Sequence, residues 1–129
     1  RGKKVVELAL HAEFQGAMAV VLNAPTPVDT IVEVSNTIDI PIISTTLDTD
    51  VEAKLEGGAQ IINVSASSNT PALVKELRRR FPDLPIIATG GTTEDSILRT
   101  IDAGANAVTY TPPSIAELMK NMMHKYRGQ

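Results

Sequence analysis

The sequence predicts an α/β domain built on an all-parallel sheet, and three observations carry that expectation. Five short stretches rich in Ile and Val recur along the chain. Apolar residues fill both alternating sets of positions in them, whereas a half-exposed antiparallel strand would alternate apolar with polar. Helical periodicities separate the stretches, and such alternation brings parallel strands joined by right-handed crossovers. The 129 residues are one domain's worth of chain, and 43% hydrophobic against 21% charged residues allows a packed core.

The elements follow in order. A helix over Lys3–Phe14 carries Val5, Val6, Leu8, Ala9 and Ala12 on a broad apolar stripe, and the first strand is Ala17–Leu22. Thr26-Pro27 reads as an N-cap followed by a first-turn proline, with Asp29 at capping-box spacing, and opens a helix over Val28–Ile38. The second strand is Ile40–Ser44. Thr49 starts a short helix over Asp50–Glu56 that leads to the third strand, Gln60–Val64. Thr70 precedes a helix over Pro71–Phe81 with Leu73, Val74, Leu77 and Phe81 on one face. Arg78–Arg80 on its last turn reads as a solvated basic run, well placed against the helix dipole. The fourth strand is Leu84–Ala88, the next helix is Glu94–Asp102 after Thr92, and the fifth strand is Asn106–Tyr110. Ser114–Tyr126 then places Ile115, Leu118, Met119, Met122, Met123 and Tyr126 at helical spacing, a stripe expected to pack into the core.

An internal repeat runs through this order. Asp39–Thr45 (DIPIIST) matches Asp83–Thr89 (DLPIIAT) at an offset of 44, and Leu55–Asn63 matches Ile101–Thr109 at an offset of 46. The two extra residues fall after the fourth strand, where Gly90-Gly91 is inserted. Both copies place Gly-Ala between helix and next strand, at Gly58-Ala59 and Gly104-Ala105. Glycine there ends the helix in a left-handed conformation. Tandem βα units of this kind suit a barrel or a doubly wound sheet.

Composition excludes several functions. Twelve basic against 15 acidic side chains give a net charge of −3 with a pI near 5.3, which disfavours a nucleic-acid partner. The chain has no Cys and only His11 and His124, so no metal site and no His-centred triad is expected. No cofactor is expected either. No apolar run approaches a membrane span, and nothing resembles a secretory signal, so the expectation is a soluble cytoplasmic protein without a membrane partner.

In either architecture ligands bind at the carboxyl ends of the strands. The loops there are Asn23–Thr26, Thr45–Asp48, Ser65–Asn69, Thr89–Thr92 and Thr111–Ser114, rich in hydroxyls and amides, with Asp48 the clearest carboxylate. Such a rim suits an oxyanion or a polyol. Gly90-Gly91 before Thr92-Thr93 lets backbone N–H groups approach a phosphate at a helix start, while each single Ser, Thr or Asn also reads as a simple cap.

The run Ile86–Val108 (IIATGGTTEDSILRTIDAGANAV) resembles the seventh βα unit and eighth strand of phosphate-binding (β/α)8 barrels. That group includes aldolase-type sugar-phosphate lyases and epimerases, and the glycerol-3-phosphate-responsive antiterminator proteins. The resemblance implies that this chain supplies strands four to eight of a partial TIM barrel. It implies phosphate binding by Gly90, Gly91 and Thr92, completed by Thr111 and Ser114. Among the rim residues Asp48 is the acid/base candidate, and Asn23 and Asn63 are expected to orient substrate hydroxyls, with a place in the core as the alternative for Asn63. Three departures stand out. Tyr110–Ser114 (YTPPS) replaces the second glycine motif, every Lys lies in a helical segment, and only five strands are present where a barrel takes at least ~200 residues.

The chain opens at Arg1 and runs straight into a helical pattern, so residues 1–129 are expected to be one domain that is a piece of a longer barrel. An open five-stranded piece would leave two edges and an apolar face, so self-association into a homo-oligomer is expected. A flavodoxin-like doubly wound sheet is the alternative. The expected function is binding of a phosphorylated small molecule, with lyase, isomerase or hydrolase chemistry in the intact protein. The alternative function is a non-catalytic sugar- or glycerol-phosphate sensor.

Overall fold

The computed structural model describes residues 2–89, 94–109, 119, 120, 122 and 123. The elements are α1 (Gly2–Phe14), β1 (Val20–Leu22), α2 (Val28–Thr37), β2 (Ile42–Thr46), α3 (Glu52–Glu56), β3 (Ile61–Val64), α4 (Thr70–Arg80), β4 (Ile86–Thr89), α5 (Glu94–Asp102) and β5 (Ala107–Thr109). A 3-10 turn at Ser67–Asn69 leads into α4. Pro41 and Pro85 stand just before β2 and β4, where they lose no ladder donor and their carbonyls accept from Val20 and Ile62.

All strands are parallel, in the order β1-β2-β3-β4-β5. Right-handed crossovers that always step to the next neighbour leave every connecting helix on one face. A doubly wound sheet must reverse its order once to place helices on both faces, so this order excludes the flavodoxin-like alternative.

Burial follows from that topology. Even-numbered strand positions, from Val20 and Leu22 through Ile42, Ile62 and Val64 to Ile86 and Ala88, are buried. Under β1 and β2 they pack with Ala9 of α1 and with Ile31, Val34 and Ile38. Under β3 and β4 they pack with Val51 and with Val74 and Leu77 of α4. Odd positions are open: Val21 is 59% exposed, Ile43, Thr45, Ile61, Asn63 and Ile87 are half-buried, and Thr89, Ala107 and Thr109 are exposed. The expectation of strands buried on both faces is thus corrected. The Ile and Val at odd positions line a face that no described helix covers, as the inner face of a barrel would be in an open piece.

Three further expectations change. The helix starts lack the side-chain caps anticipated from Thr26, Thr49 and Thr70: α2 and α3 follow Pro27 and Val51, and Thr70 lies inside α4, its hydroxyl accepting the Ala66 N–H at 2.9 Å. Arg78–Arg80 is not a uniform solvated face. Arg78 donates to the carbonyls of Phe81, Pro82 and Gly104 and to Asn106 Oδ1 at 2.6–3.2 Å, while Arg80 donates to Thr49 O at 2.9 Å and pairs with Glu52. Met119, Met122 and Met123 are helical but 53–59% exposed rather than buried in the core, and Ile115, Leu118 and Tyr126 of the same stripe lie outside the described residues. Among the described residues, no helix is long and apolar enough to cross a membrane.

Candidate functional site

Because the strands are parallel, their carboxyl ends gather on one side of the sheet, and the uncovered face changes character toward that side. Its lower row is apolar, with Val21 beside Ile43 and Ile43 beside Ile61. One step on, Thr45 pairs with Asn63, Asn63 with Ile87 and Ile87 with Ala107, and at the tips Thr89 pairs with Thr109. The period of two along each strand brings these side chains to the same face.

The polar members form a continuous row across four strands. Asn63 Nδ2 donates to Thr45 Oγ1 at 3.3 Å, Thr89 Oγ1 donates to Asn63 Oδ1 at 3.3 Å, and the Thr89 and Thr109 hydroxyls are 3.3 Å apart. These are long contacts for hydroxyls, which prefer about 2.7–2.8 Å. Asn63, anticipated as a ligand residue, therefore stands on the open face rather than in the core. Thr45, Thr89 and Thr109 were anticipated only as loop members or not at all. Their even spacing from Ile43, Ile87 and Ala107 along each strand is the signal that places them with Asn63.

Lys54 adds a cation to the same region. From α3 its Nζ donates to Thr45 O at 3.2 Å, at the tip of β2. The sequence places every lysine in a helix, which holds for those among the described residues, but α3 is so short and so close to β2 that the Lys54 stem reaches the strand end. Among the described residues Lys54 has no carboxylate partner.

Asp48 lies apart from this row. Its Oδ1 accepts the Asp50 N–H at 2.9 Å and the Thr46 hydroxyl at 3.3 Å, and Thr46 belongs to the buried, helix-covered set. Asp48 is exposed, and one of its oxygens is spent on ordering the loop into α3. Asn23 is exposed after β1, and its carbonyl accepts the Thr26 N–H at 3.0 Å. With Thr26, Val5 and Leu8 it lines a cavity of about 400 Å³ along the free edge of β1. That cavity is apolar and distinct from the polar row. After β3, Ser67 holds φ +52°, a left-handed conformation that costs a residue with a side chain on the order of 1 kcal/mol. Gly90, Gly91, Thr92, Thr111 and Ser114 lie outside the described residues.

No protein-family model matches the chain, and no curated protein matches it. Solved structures do. Mandelate oxidase with 3,3-difluoro-2-hydroxy-3-phenylpropionic acid superposes with a TM-score of 0.73 at 18% identity, covering 87% of this chain and 46% of the oxidase. Mandelate oxidase with benzaldehyde gives the same values, a TM-score of 0.73 at 18% identity over 87% of this chain and 46% of that one. A protein from Burkholderia cenocepacia assigned to the phosphonomutases superposes with a TM-score of 0.71 at 16% identity, covering 100% of this chain and 64% of that one. The chain therefore spans less than two thirds of these neighbours' own length. They are TIM-barrel enzymes, and this chain has the fold of a partial α/β barrel. The likeness extends to the fold and does not single out the antiterminators.

Proposed function

We propose that this chain is the five-unit carboxyl part of a longer (β/α)8 barrel, strands four to eight, that binds a phosphorylated small molecule at its strand tips. The observation that carries the reading is the hydrogen-bonded row of Thr45, Asn63, Thr89 and Thr109 on the uncovered face, at the carboxyl ends of parallel strands. In this reading Gly90, Gly91 and Thr92 hold the phosphate, with Thr111 and Ser114 beside it. Asn63 and Asn23 meet the ligand's hydroxyls. Lyase, isomerase or hydrolase chemistry belongs to the intact barrel, in the cytoplasm, with Asp48 as the acid/base group of these strands.

A second reading, a sensor without turnover, is favoured by one feature: the Asp48 carboxylate is engaged in its own loop rather than with the polar row. Thermal-shift titration with inorganic phosphate, glycerol phosphate and glycerol tests the common claim. The phosphate-bearing probes are expected to raise Tm by several degrees at millimolar concentration and glycerol to leave it unchanged. Asn63→Leu is expected to weaken the glycerol phosphate response. No response to either phosphate would refute the reading.

A further inference from the structure

The polar row has a direction, and its direction specifies the ligand. Thr89 has one hydroxyl proton and gives it to Asn63 Oδ1, so the 3.3 Å contact with Thr109 is made by the Thr109 hydroxyl donating to Thr89. Asn63 in turn donates to Thr45 Oγ1. Every donor therefore points from β5 toward β2, and among the described residues the Thr45 hydroxyl proton has no acceptor at the end of the row.

Two more features meet at Thr45. Lys54 spends one ammonium proton on Thr45 O and keeps two others, with no carboxylate partner among the described residues. The pairing of β1 with β2 ends at Leu22 and Ser44, so Thr45 stands one residue past the last β1 pair, half-buried. An O–H and an ammonium, neither of them paired with a carboxylate among the described residues, thus stand at one strand tip. We infer that the β2 end of the row receives the carboxylate or enolate oxygen of the ligand, which makes the ligand class a phosphorylated hydroxy or keto acid. An anionic acceptor satisfies both donors at once, with charge-assisted bonds about twice as strong as neutral ones. A neutral hydroxyl would leave the ammonium uncompensated. From β2 to β4 is two strand spacings, about 10 Å. Less a hydrogen bond's reach at each end, that distance suits an acid of about three to five carbons with its phosphate beyond β4.

The inference rests on the proposed phosphate reading only for the far end of the ligand, and calorimetric titration of the 129-residue chain keeps the two apart. The probes are 3-phosphoglycerate, glycerol 3-phosphate and glycerate. Phosphoglycerate is expected to bind roughly tenfold tighter than glycerol phosphate, a charge-assisted contact's worth. Lys54→Gln and Thr45→Val are each expected to erase that difference, and Thr45→Ser to restore most of it. Equal affinities in the unmodified chain, or a preference that survives both substitutions, would overturn the inference while leaving phosphate binding intact. Should neither ester bind, the phosphate reading fails and glycerate decides. Amide signals of Thr45 and Asn63 that respond to glycerate in the unmodified chain but not in Lys54→Gln uphold the acid site, and their silence removes it.

Discussion

Two stretches of this molecule, β2–α3–β3 and β4–α5–β5, are built on the same backbone and spend their side chains differently. In the first, Gly57, Gly58 and Ala59 donate to the carbonyls of Ala53, Leu55 and Lys54; in the second, Ala103, Gly104 and Ala105 donate to those of Arg99, Ile101 and Thr100, position for position. Gly58 and Gly104 hold φ of +122° and +118°. Gln60 N–H reaches Ile42 O as Asn106 N–H reaches Ile86 O. Side chains diverge at once. Lys54 reaches the tip of β2, while Thr100 at the equivalent place is buried and bonds back to Ser96 O at 2.8 Å. The first unit thus adds a cation to the polar row at the carboxyl end of the sheet, to which both units contribute. The second secures its turn instead, through Arg78. A shared backbone frame fixes where the strands lie, and substitution on it decides which groups stand at each end.

The glycine turns separate the two units most sharply. A Cβ on Gly58 would lie 2.3 Å from Ser35 Oγ and 2.5 Å from Ser35 Cβ, whereas one on Gly104 would lie 2.9 Å from Arg78 Cγ, the stem of a longer and more flexible side chain. Both substitutions also force a residue with a side chain into left-handed backbone. Gly58→Ala is therefore expected to destabilise by about 3 kcal/mol and Gly104→Ala by about half of that. Urea unfolding of both variants measures the difference. Equal costs would mean that α2 and α4 yield alike, and the asymmetry argued here would go.

Next in size is the basic run that ties α4 to both units. Arg78 holds the second unit's turn through Gly104 O and Asn106 Oδ1, and Arg80 holds the first unit's loop through Thr49 O and Glu52. Arg79 touches neither. Its hydrogen bond keeps Glu76 below the usual carboxylate range, on its own exposed helix surface. Arg78→Ala is expected to cost about 2 kcal/mol, because it strips charge-assisted bonds from several partly buried carbonyls, and Arg80→Ala less than about 1 kcal/mol. Arg79→Ala should leave the urea midpoint unchanged. A loss at Arg79 matching that at Arg78 would restore the view of the run as one solvated face.

These residues also mark how far the sequence could be read. The helix over Glu94–Asp102 and the left-handed glycines follow from capping and turn chemistry that is local, and local rules reach them. Strand identity was equally legible, because Ile and Val at consecutive positions leave little else. What those Ile and Val face was not. Residues such as Ile43 and Ile87 look the same in sequence whether a helix or an uncovered surface lies above them, and strand order alone distinguishes the two. The candidate site divides along the same line. Asn63 was visible as an amide on a strand, whereas Thr45, Thr89 and Lys54 gain meaning only from the register and from the closeness of α3 to β2. Asp48 was visible as a carboxylate after a strand, but that its Oδ1 orders the loop into α3 was not, because a carboxylate there serves turn geometry as readily as catalysis.

The smallest expected effect runs in the opposite direction. Ser44 sits on the helix-covered face of β2, 1% exposed, and its hydroxyl has no partner among the described residues. Its neighbours in register are Leu22 and Ile62, both apolar. At the equivalent place the second unit carries Ala88, fully buried within the apolar cluster under β3 and β4. A buried hydroxyl without a partner pays its desolvation and gains nothing in return, so Ser44→Ala should raise stability by about 1 kcal/mol, making the first unit resemble the second at this one position. Ser44→Val would fill more space but risks crowding between Leu22 and Ile62, and is expected to gain less. A rise in the urea midpoint for the alanine variant, with unchanged slope, is the expected result. A fall would mean that the hydroxyl does find a partner in solution, and that the two units differ there for a reason packing alone does not supply.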